Sequence, residues 1–519
     1  MTDRGTNSEA PPERPRLAAV LILVVSILAL LHAVSFLGAG PIDDDVITYR
    51  YARNWVEGHG PVFNPGERFE GFTIPLWVMI LALGMKASIA PEWLSVSISI
   101  LSVGVAAFAL GCAWRRRYPG SFLPFPALFL AVSPTFAWHG VAGLGTTMLA
   151  ALLALWFDAY DRACRAGRDS RGAAVFLALA CLLRQECALF VLFYLWLEVR
   201  RRPSAWLALP VLSLAGWTLF RLVYFGRLLP ITYYVKKLSF FDDLSFGAKY
   251  LKDSTQSAGV GWLVLASLLG LLARRFGRSR NPERSSSNTD AFRAALWGVW
   301  LHTLYVVYVG GDYVPFARFF APTLPLLAFV GMAAMKDASP SPRFALLPML
   351  ATLASVQWVH RERIERFGEH QFFNERWLRL GDHFRKVTPA DTSVAIAPIG
   401  AFGWASGLEI IDILGVTHDG MLGAEPNLEI TMKGHQRTDA DWILDRKPDF
   451  VILANGVRHA DGKLAINPWE YDLFVHPRFR QDYVFARVPI PGDAPLDVFQ
   501  RSDTTPLPGA QIVRNWADF

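Results

Sequence analysis

Three consecutive carboxylates, Asp43-Asp44-Asp45, stand in a polar segment that follows an apolar run. Like charges side by side repel, so at least one of the three should have a raised pKa or a cation beside it. Such a group can act as a general base or help hold a divalent cation. Aspartates also sit in the first turn of ordinary helices, and the run taken alone fits that role equally well. On a helix starting here neighbours are turned about 100° apart, so the three cannot share one direction. Asp44 is in phase with Thr48, Tyr51 and Trp55, whereas Asp45 follows Tyr49 and Ala52.

Further polar clusters punctuate the apolar chain. Arg50 lies in the same segment as the aspartates. His139 precedes a Gly143–Thr147 turn, Arg184-Gln185-Glu186 interrupts an apolar stretch, and Tyr233 and Lys236 lie in Leu229–Lys237. Asp312 and Arg318 belong to Gly310–Phe319. Cations such as Lys236 and Arg318 beside an apolar groove suit a phosphate whose lipid tail stays in the bilayer. Each alone fits interfacial snorkelling as well; their convergence on one side favours a site.

The elements that must position these residues are membrane helices. Of the 519 residues 52% are hydrophobic and 18% charged, against about 25% charged in soluble domains. A soluble enzyme, a disordered chain and a disulfide scaffold are excluded. The net charge of +6 reflects arginines at the ends of apolar blocks, a topology signal rather than a nucleic-acid surface. The four cysteines (Cys112, Cys164, Cys181, Cys187) show no CxxC or metal spacing. No GxxxxGK or GxGxxG phosphate loop occurs.

The expected fold is a polytopic α-helical membrane protein with a C-terminal extracytoplasmic α/β domain, in the plasma (inner) membrane. Residues 1–359 form the membrane domain and 360–519 the soluble one. Basic turns at Arg115–Arg117, Arg162–Arg171, Arg200–Arg202, Arg274–Arg284 and Lys336/Arg343 are all cytoplasmic on two conditions. Block 74–90 must lie re-entrant or interfacial, and 172–199 must be a hairpin with its tip at Arg184–Glu186. That gives eleven spans, N-terminus inside and C-terminus outside. Each hairpin arm reaches roughly 18 Å against a hydrocarbon core of about 30 Å, so its charged tip should lie inside a protein-lined cavity. In the tail, strands are predicted at Ser393–Ile399, Glu409–Leu414, Asp449–Ala454 and Tyr483–Val488, with helices near Phe372–Lys386 and Asp439–Arg446.

These motifs resemble a known family. Asp43-Asp44 with Ile47–Asn54 and Glu70–Thr73 resembles the first external loop of the GT-C membrane glycosyltransferases. The likeness is greatest to the actinobacterial terminal β-(1→2) arabinofuranosyltransferases. Arg184-Gln185-Glu186 is similar to that family's Arg-Pro-Glu, Pro230–Lys236 to its Pro-Asn-Thr-Tyr-Tyr-Ala-Lys, and Gly310–Phe319 to its Gly-Gly-Asp…Arg-Phe element. Ile411-Asp412…Gly415, Gly434-His435 and Arg446–Asp449 match in the tail. The chain departs from the pattern at Asp45 (a small residue in the family), Gln185 (Pro), Ile231 (Asn) and Gly145 (Glu in many relatives).

The resemblance implies transfer of a sugar, arabinofuranose or another pentose, from a polyprenyl-phosphate donor to a cell-envelope glycan outside the cytoplasm. Asp44, with Asp43, would be the catalytic carboxylate. Arg184, Glu186, Tyr233, Lys236, Asp312, Arg318, Arg50 and His139 would bind donor phosphate or substrate. Asp43, Asp44 and Asp45 are the candidate ligands should a divalent cation take part. The tail domain is expected to bind or position the acceptor. Rival readings are transfer to a protein such as a pilin, and translocation of a lipid-linked sugar, for which the expected inverted repeats are not found.

Overall fold

The computed structural model describes residues 13–276, 289–338 except Pro315, 346–354 except Leu353, 374–456, Arg458 and 463–513. The expected domain boundary near residue 360 and most of the polar loop 278–289 lie outside the described residues.

Among the described residues three helices are long and apolar enough to cross a membrane: Arg16–Val34, Pro91–Arg117 and Ala205–Phe225. A fourth arises if Phe240–Ala258 and Val260–Leu272, bent by 94° at Gly259, are one span. The other apolar blocks, where described, are helical but shorter or more polar, so among the described residues length and composition alone do not reach eleven. Block 74–90 holds one 12-residue helix, Pro75–Lys86. Block 121–138 is broken at Ser133-Pro134 into Phe125–Val132 and Pro134–His139, as a proline that cannot donate to the preceding turn requires. The expected hairpin is present, with arms Arg171–Leu183 and Ala188–Arg201 joined by a single turn.

The aspartate run opens the helix Asp43–Val56, whose first turn holds all three carboxylates. Acidic side chains there meet the free N–H groups and positive end of the helix dipole.

Among the described residues the tail holds six strands: β1 Ser393–Ile396, β2 Glu409–Asp412, β3 Phe450–Ile452, β4 Tyr483–Val488, β5 Leu496–Arg501 and β6 Gln511–Val513, in the order β2-β1-β3-β5-β4-β6. β2-β1-β3 are parallel, and β3-β5, β5-β4 and β4-β6 antiparallel. Alternate residues point to opposite faces, and both faces are covered. Val394, Ile396, Ile410 and Phe450 join the large core shared with the membrane helices. Ala395, Ile411 and Val451 join a second core that includes Ile231 and Val235. Ile231, where the family has Asn, thus anchors the short helix Ile231–Lys236 against the sheet. Burying such a side chain stabilises by roughly 1.5–3 kcal/mol.

The tail is bolted to the aspartate helix through Arg50, which is 2% exposed. Its guanidinium donates to Phe63 O (2.7 Å), Asn64 Oδ1 (2.8 Å), Gly403 O (2.7 Å) and Leu408 O (2.7 Å).

Candidate active site

Between the membrane helices and the tail lies a cavity of about 810 Å³. Its walls include Asp43, Asp44 and Thr48 from the aspartate helix, the hairpin tip Arg184–Glu186, and Tyr233, Lys236, Asp312 and Arg318. Residues more than 250 positions apart in sequence meet here because the sheet domain closes over the helix ends.

Asp44 sits at the centre of the polar part. Its Oδ1 accepts from Tyr313 Oη (2.8 Å) and its Oδ2 from Arg318 Nη1 (2.6 Å). Arg318 Nε donates in turn to Asp312, so one guanidinium bridges two carboxylates. Burial pushes the Asp44 pKa up, but the charges of Arg318 and Lys236, with the hydrogen bonds from Arg318 and Tyr313, hold it below the usual carboxylate range. Asp44 therefore stays ionised and keeps a free lone pair on each oxygen. It is 24% exposed toward the cavity.

The neighbours of Asp44 point elsewhere. Asp43 Oδ2 accepts from Gly400 N (3.1 Å) and Oδ1 from Ala401 N (2.7 Å), the first N–H groups of the tail helix Ile399–Ser406. Burial first, then the charge of Asp44, push its pKa up to about 6 against the backbone bonds. Although it lines the cavity, Asp43 acts as a clasp between domains. Asp45 is fully buried and accepts from Tyr49 Oη (2.5 Å) and Trp77 Nε1 (3.4 Å). The phase argument thus holds for the Asp45–Tyr49 pair. It fails beyond Thr48 for Asp44, since Tyr51 turns to donate to Phe69 O.

The three candidate cation ligands do not converge on one point. Among the described residues no group of three or more His, Cys, Asp or Glu side chains is arranged to hold a metal. Gly145 has φ +66°, and a Cβ there would lie 3.1 Å from the Trp77 ring. The glutamate of many relatives would be strained on this backbone, and the indole in its place donates to Asp45.

The candidate phosphate groups divide similarly. Lys236 lines the cavity and forms no salt bridge among the described residues; its Nζ lies 6.0 Å from the Tyr313 ring centre. Arg184 is partly committed: Nε donates to Glu186 (2.7 Å) and Nη1 to Thr73 Oγ1 (2.6 Å). Two candidates are corrected. Arg50 is spent on the tail-domain backbone and lies outside the cavity wall. His139 is fully buried behind it, its Nε2 2.8 Å from Phe316 O, where it supports the loop that carries Arg318.

Some cavity residues were not singled out from the sequence. Arg221 forms a buried pair with Glu70 and donates to Gln185 Oε1 (2.6 Å). Gln185 thereby gains a partner that the family's Pro could not supply. A lone arginine inside the apolar block 205–225 was the available signal. Lys433, Asn455 and Trp469 reach the cavity from tail loops and carry no periodicity that would mark them.

A family model described as a domain of unknown function (DUF8728) matches residues 362–502. The chain is 31% identical over 335 residues to a terminal beta-(1->2)-arabinofuranosyltransferase of Mycobacterium tuberculosis, over 56% of this chain and 52% of that protein. A protein of the same name from Corynebacterium glutamicum is 28% identical over 374 residues, 63% of this chain and 53% of that one. The chain thus spans about half the length of the curated relatives it matches. Among solved structures, the oligosaccharyltransferase of Archaeoglobus fulgidus in its apo form gives a TM-score of 0.51 at 12% identity, covering 95% of this chain and 76% of that one. The archaeal enzyme AglB in complex with an inhibitory peptide and a dolichol-phosphate also gives 0.51, at 13% identity, covering 95% and 75%. The resemblance to the arabinofuranosyltransferase family read from the motifs therefore stands, and the fold is GT-C.

Proposed function

We propose that this chain transfers a sugar, arabinofuranose or another pentose, from a polyprenyl-phosphate donor to a cell-envelope glycan on the extracytoplasmic side. The observation that carries this reading is Asp44, held ionised in a large cavity with Lys236, which forms no salt bridge among the described residues, on the same wall. The names of the sequence relatives support glycosyl transfer, and a fold neighbour solved with dolichol-phosphate supports a lipid-phosphate donor.

The geometry supports the following step. An acceptor hydroxyl beside Asp44 gives its proton to Oδ as its oxygen attacks the anomeric carbon. The bond from that carbon to the phosphate oxygen breaks, and polyprenyl phosphate leaves with the bonding electrons. Lys236 and the uncommitted N–H groups of Arg184 offset the charge of the leaving phosphate. The apolar lining that includes Leu149, Val306 and Phe319 accommodates the first part of the lipid. Asp44 lies beside the tail domain, and the basic turns read as cytoplasmic support an extracytoplasmic position for both.

Purified protein given a radiolabelled polyprenyl-phosphate pentose and a glycan acceptor tests the reading. Release of free carrier lipid with label in the glycan supports it. Flipping of the intact donor across vesicles without turnover would instead support translocation, and label in a pilin-type protein would change the acceptor class.

A further inference from the structure

The part of the cavity wall that the tail domain supplies has Lys433 as its cation, paired with Asp243. Asn455 lines it with backbone angles of φ 51° and ψ 24°, directly after Ala454 at φ 57°. Two successive non-glycine residues in the left-handed region are strained, and such strain persists where surrounding structure enforces it, often at ligand sites. The enforcing group here is the buried Glu470, which accepts from Ala454 N (2.9 Å) while being fixed by Asn467 N (3.0 Å) and Asn467 Nδ2 (3.0 Å). Asparagine tolerates this region better than most residues, and the Asn455 amide forms no hydrogen bond among the described residues.

Beside it Trp469 lines the same wall, and its buried Nε1 has no hydrogen-bond partner among the described residues. Its ring lies 4.6 Å from that of His435, which in turn meets the edge of Tyr313 at 5.1 Å. Tyr313 donates to Asp44 (2.8 Å). A continuous line of contacts thus runs from the proposed base to an aromatic surface flanked by an unpaired amide. Aromatic faces take the apolar C–H side of a sugar ring, while amide and indole N–H groups take its hydroxyls.

We infer that Asn455, His435 and Trp469 form the acceptor-sugar subsite, which stacks one ring of the acceptor glycan and directs its hydroxyl toward Asp44. The inference rests on the proposed glycosyl transfer and adds where the acceptor binds and by which groups. Donor phosphate at Lys236 and acceptor ring at His435 then lie side by side, both next to Tyr313 and so to Asp44.

The test uses the full-length protein in detergent, a synthetic pentofuranose disaccharide as acceptor probe, and the variants Asn455→Gly and Trp469→Ala. Asn455→Gly is chosen because glycine adopts the native backbone without strain, so loss of fold does not confound it. Disaccharide affinity, read by titration calorimetry, and acceptor KM should both weaken at least about tenfold, the effect of losing one well-placed hydrogen bond or stacking contact. Donor KM should stay within about twofold, well under 1 kcal/mol. Unchanged disaccharide affinity, or an equal rise in donor KM, overturns the inference. Wild-type turnover with unchanged acceptor KM in both variants sinks the subsite and leaves the transferase reading intact. Binding of disaccharide that the variants abolish, without any turnover, does the reverse.

Discussion

The helical wall and the tail wall of the cavity handle polarity in opposite ways. On the helical side the charges are committed to one another before any ligand arrives: Arg318 to Asp44 and Asp312, Arg184 to Glu186, Arg221 to Glu70. Lys236 is the exception. The tail wall offers neutral groups whose hydrogen-bonding capacity is open, with Lys433 neutralised by Asp243. Fixed charges in a partly dry site stabilise a developing charge without reorganising, whereas open amide and indole groups suit recognition of hydroxyls. Chemistry and recognition are thereby placed on separate parts of the chain.

The largest effect should come from the residue on which the two walls converge. Asp44→Asn keeps an acceptor for Tyr313 but cannot take a proton. A positioned base contributes typically 10²–10⁴-fold, so kcat should fall at least about 10²-fold while donor binding by filter assay is retained. Asp45→Ala, as the paired control, should cost less than about tenfold in kcat and lower the melting temperature instead. It leaves Trp77 Nε1 without its buried acceptor, a cost of about 1–3 kcal/mol, while Tyr49 Oη keeps Ser95 Oγ at 2.6 Å. A larger kcat loss in Asp45→Ala than in Asp44→Asn would move the base and undo the division of walls.

Arg318 sharpens the comparison, because the structure changes what it is expected to do. Reading the sequence alone makes it a phosphate ligand, whose loss raises donor KM. Bridging two carboxylates, it should govern the state of Asp44. In Arg318→Ala the Asp44 carboxyl loses its strongest cation and stays buried beside Asp312, so its pKa should rise. The acid limb of the kcat profile should then move to higher pH. In the wild type, where the pKa lies below the usual carboxylate range, that limb should lie at the acid edge of the assay. Arg318→Lys should restore part of the rate, as an ammonium cannot span both partners in the same geometry. A rise in donor KM with an unmoved pH profile would return Arg318 to the phosphate.

What the sequence disclosed depended on whether a feature is local. The hairpin, the aspartate helix and four of the strands follow from apolar runs and their breaks, and the structure has them. β5 (LDVFQR) mixes polar residues into a buried strand, and β6 is three residues long, so neither gives a usable alternation. Within the site, Asp44, Lys236, Asp312 and Arg318 were visible because their segments carry motif spacing. The true partners of Arg50 lie 353 and 358 positions away at Gly403 and Leu408, and no pattern in one sequence marks such a pairing. Asn455 and Trp469 were hidden for the same reason: they join the cavity only once the sheet is folded and docked.

The smallest effect is expected at Asp43, which belongs to neither wall's chemistry and fastens one wall to the other. If it were catalytic, Asp43→Asn would resemble Asp44→Asn; as a clasp it should change kcat by less than about tenfold, under 1.4 kcal/mol in the barrier. Its signature should appear in stability against pH. The folded-state pKa is pushed up to about 6, above the unfolded value near 3.9, so the folded protein binds this proton more tightly than the unfolded chain does. Stability from this group therefore grows as pH falls from about 6 toward 4, and it is lost as pH rises through 6. Replacing the carboxyl by an amide removes that proton. The gain in melting temperature between pH 7 and pH 5 should accordingly be smaller in Asp43→Asn than in the wild type. An identical pH dependence in the two proteins would show that the carboxyl does not titrate at the Gly400–Ala401 contact, and a 10²-fold fall in kcat would make Asp43 part of the chemistry after all.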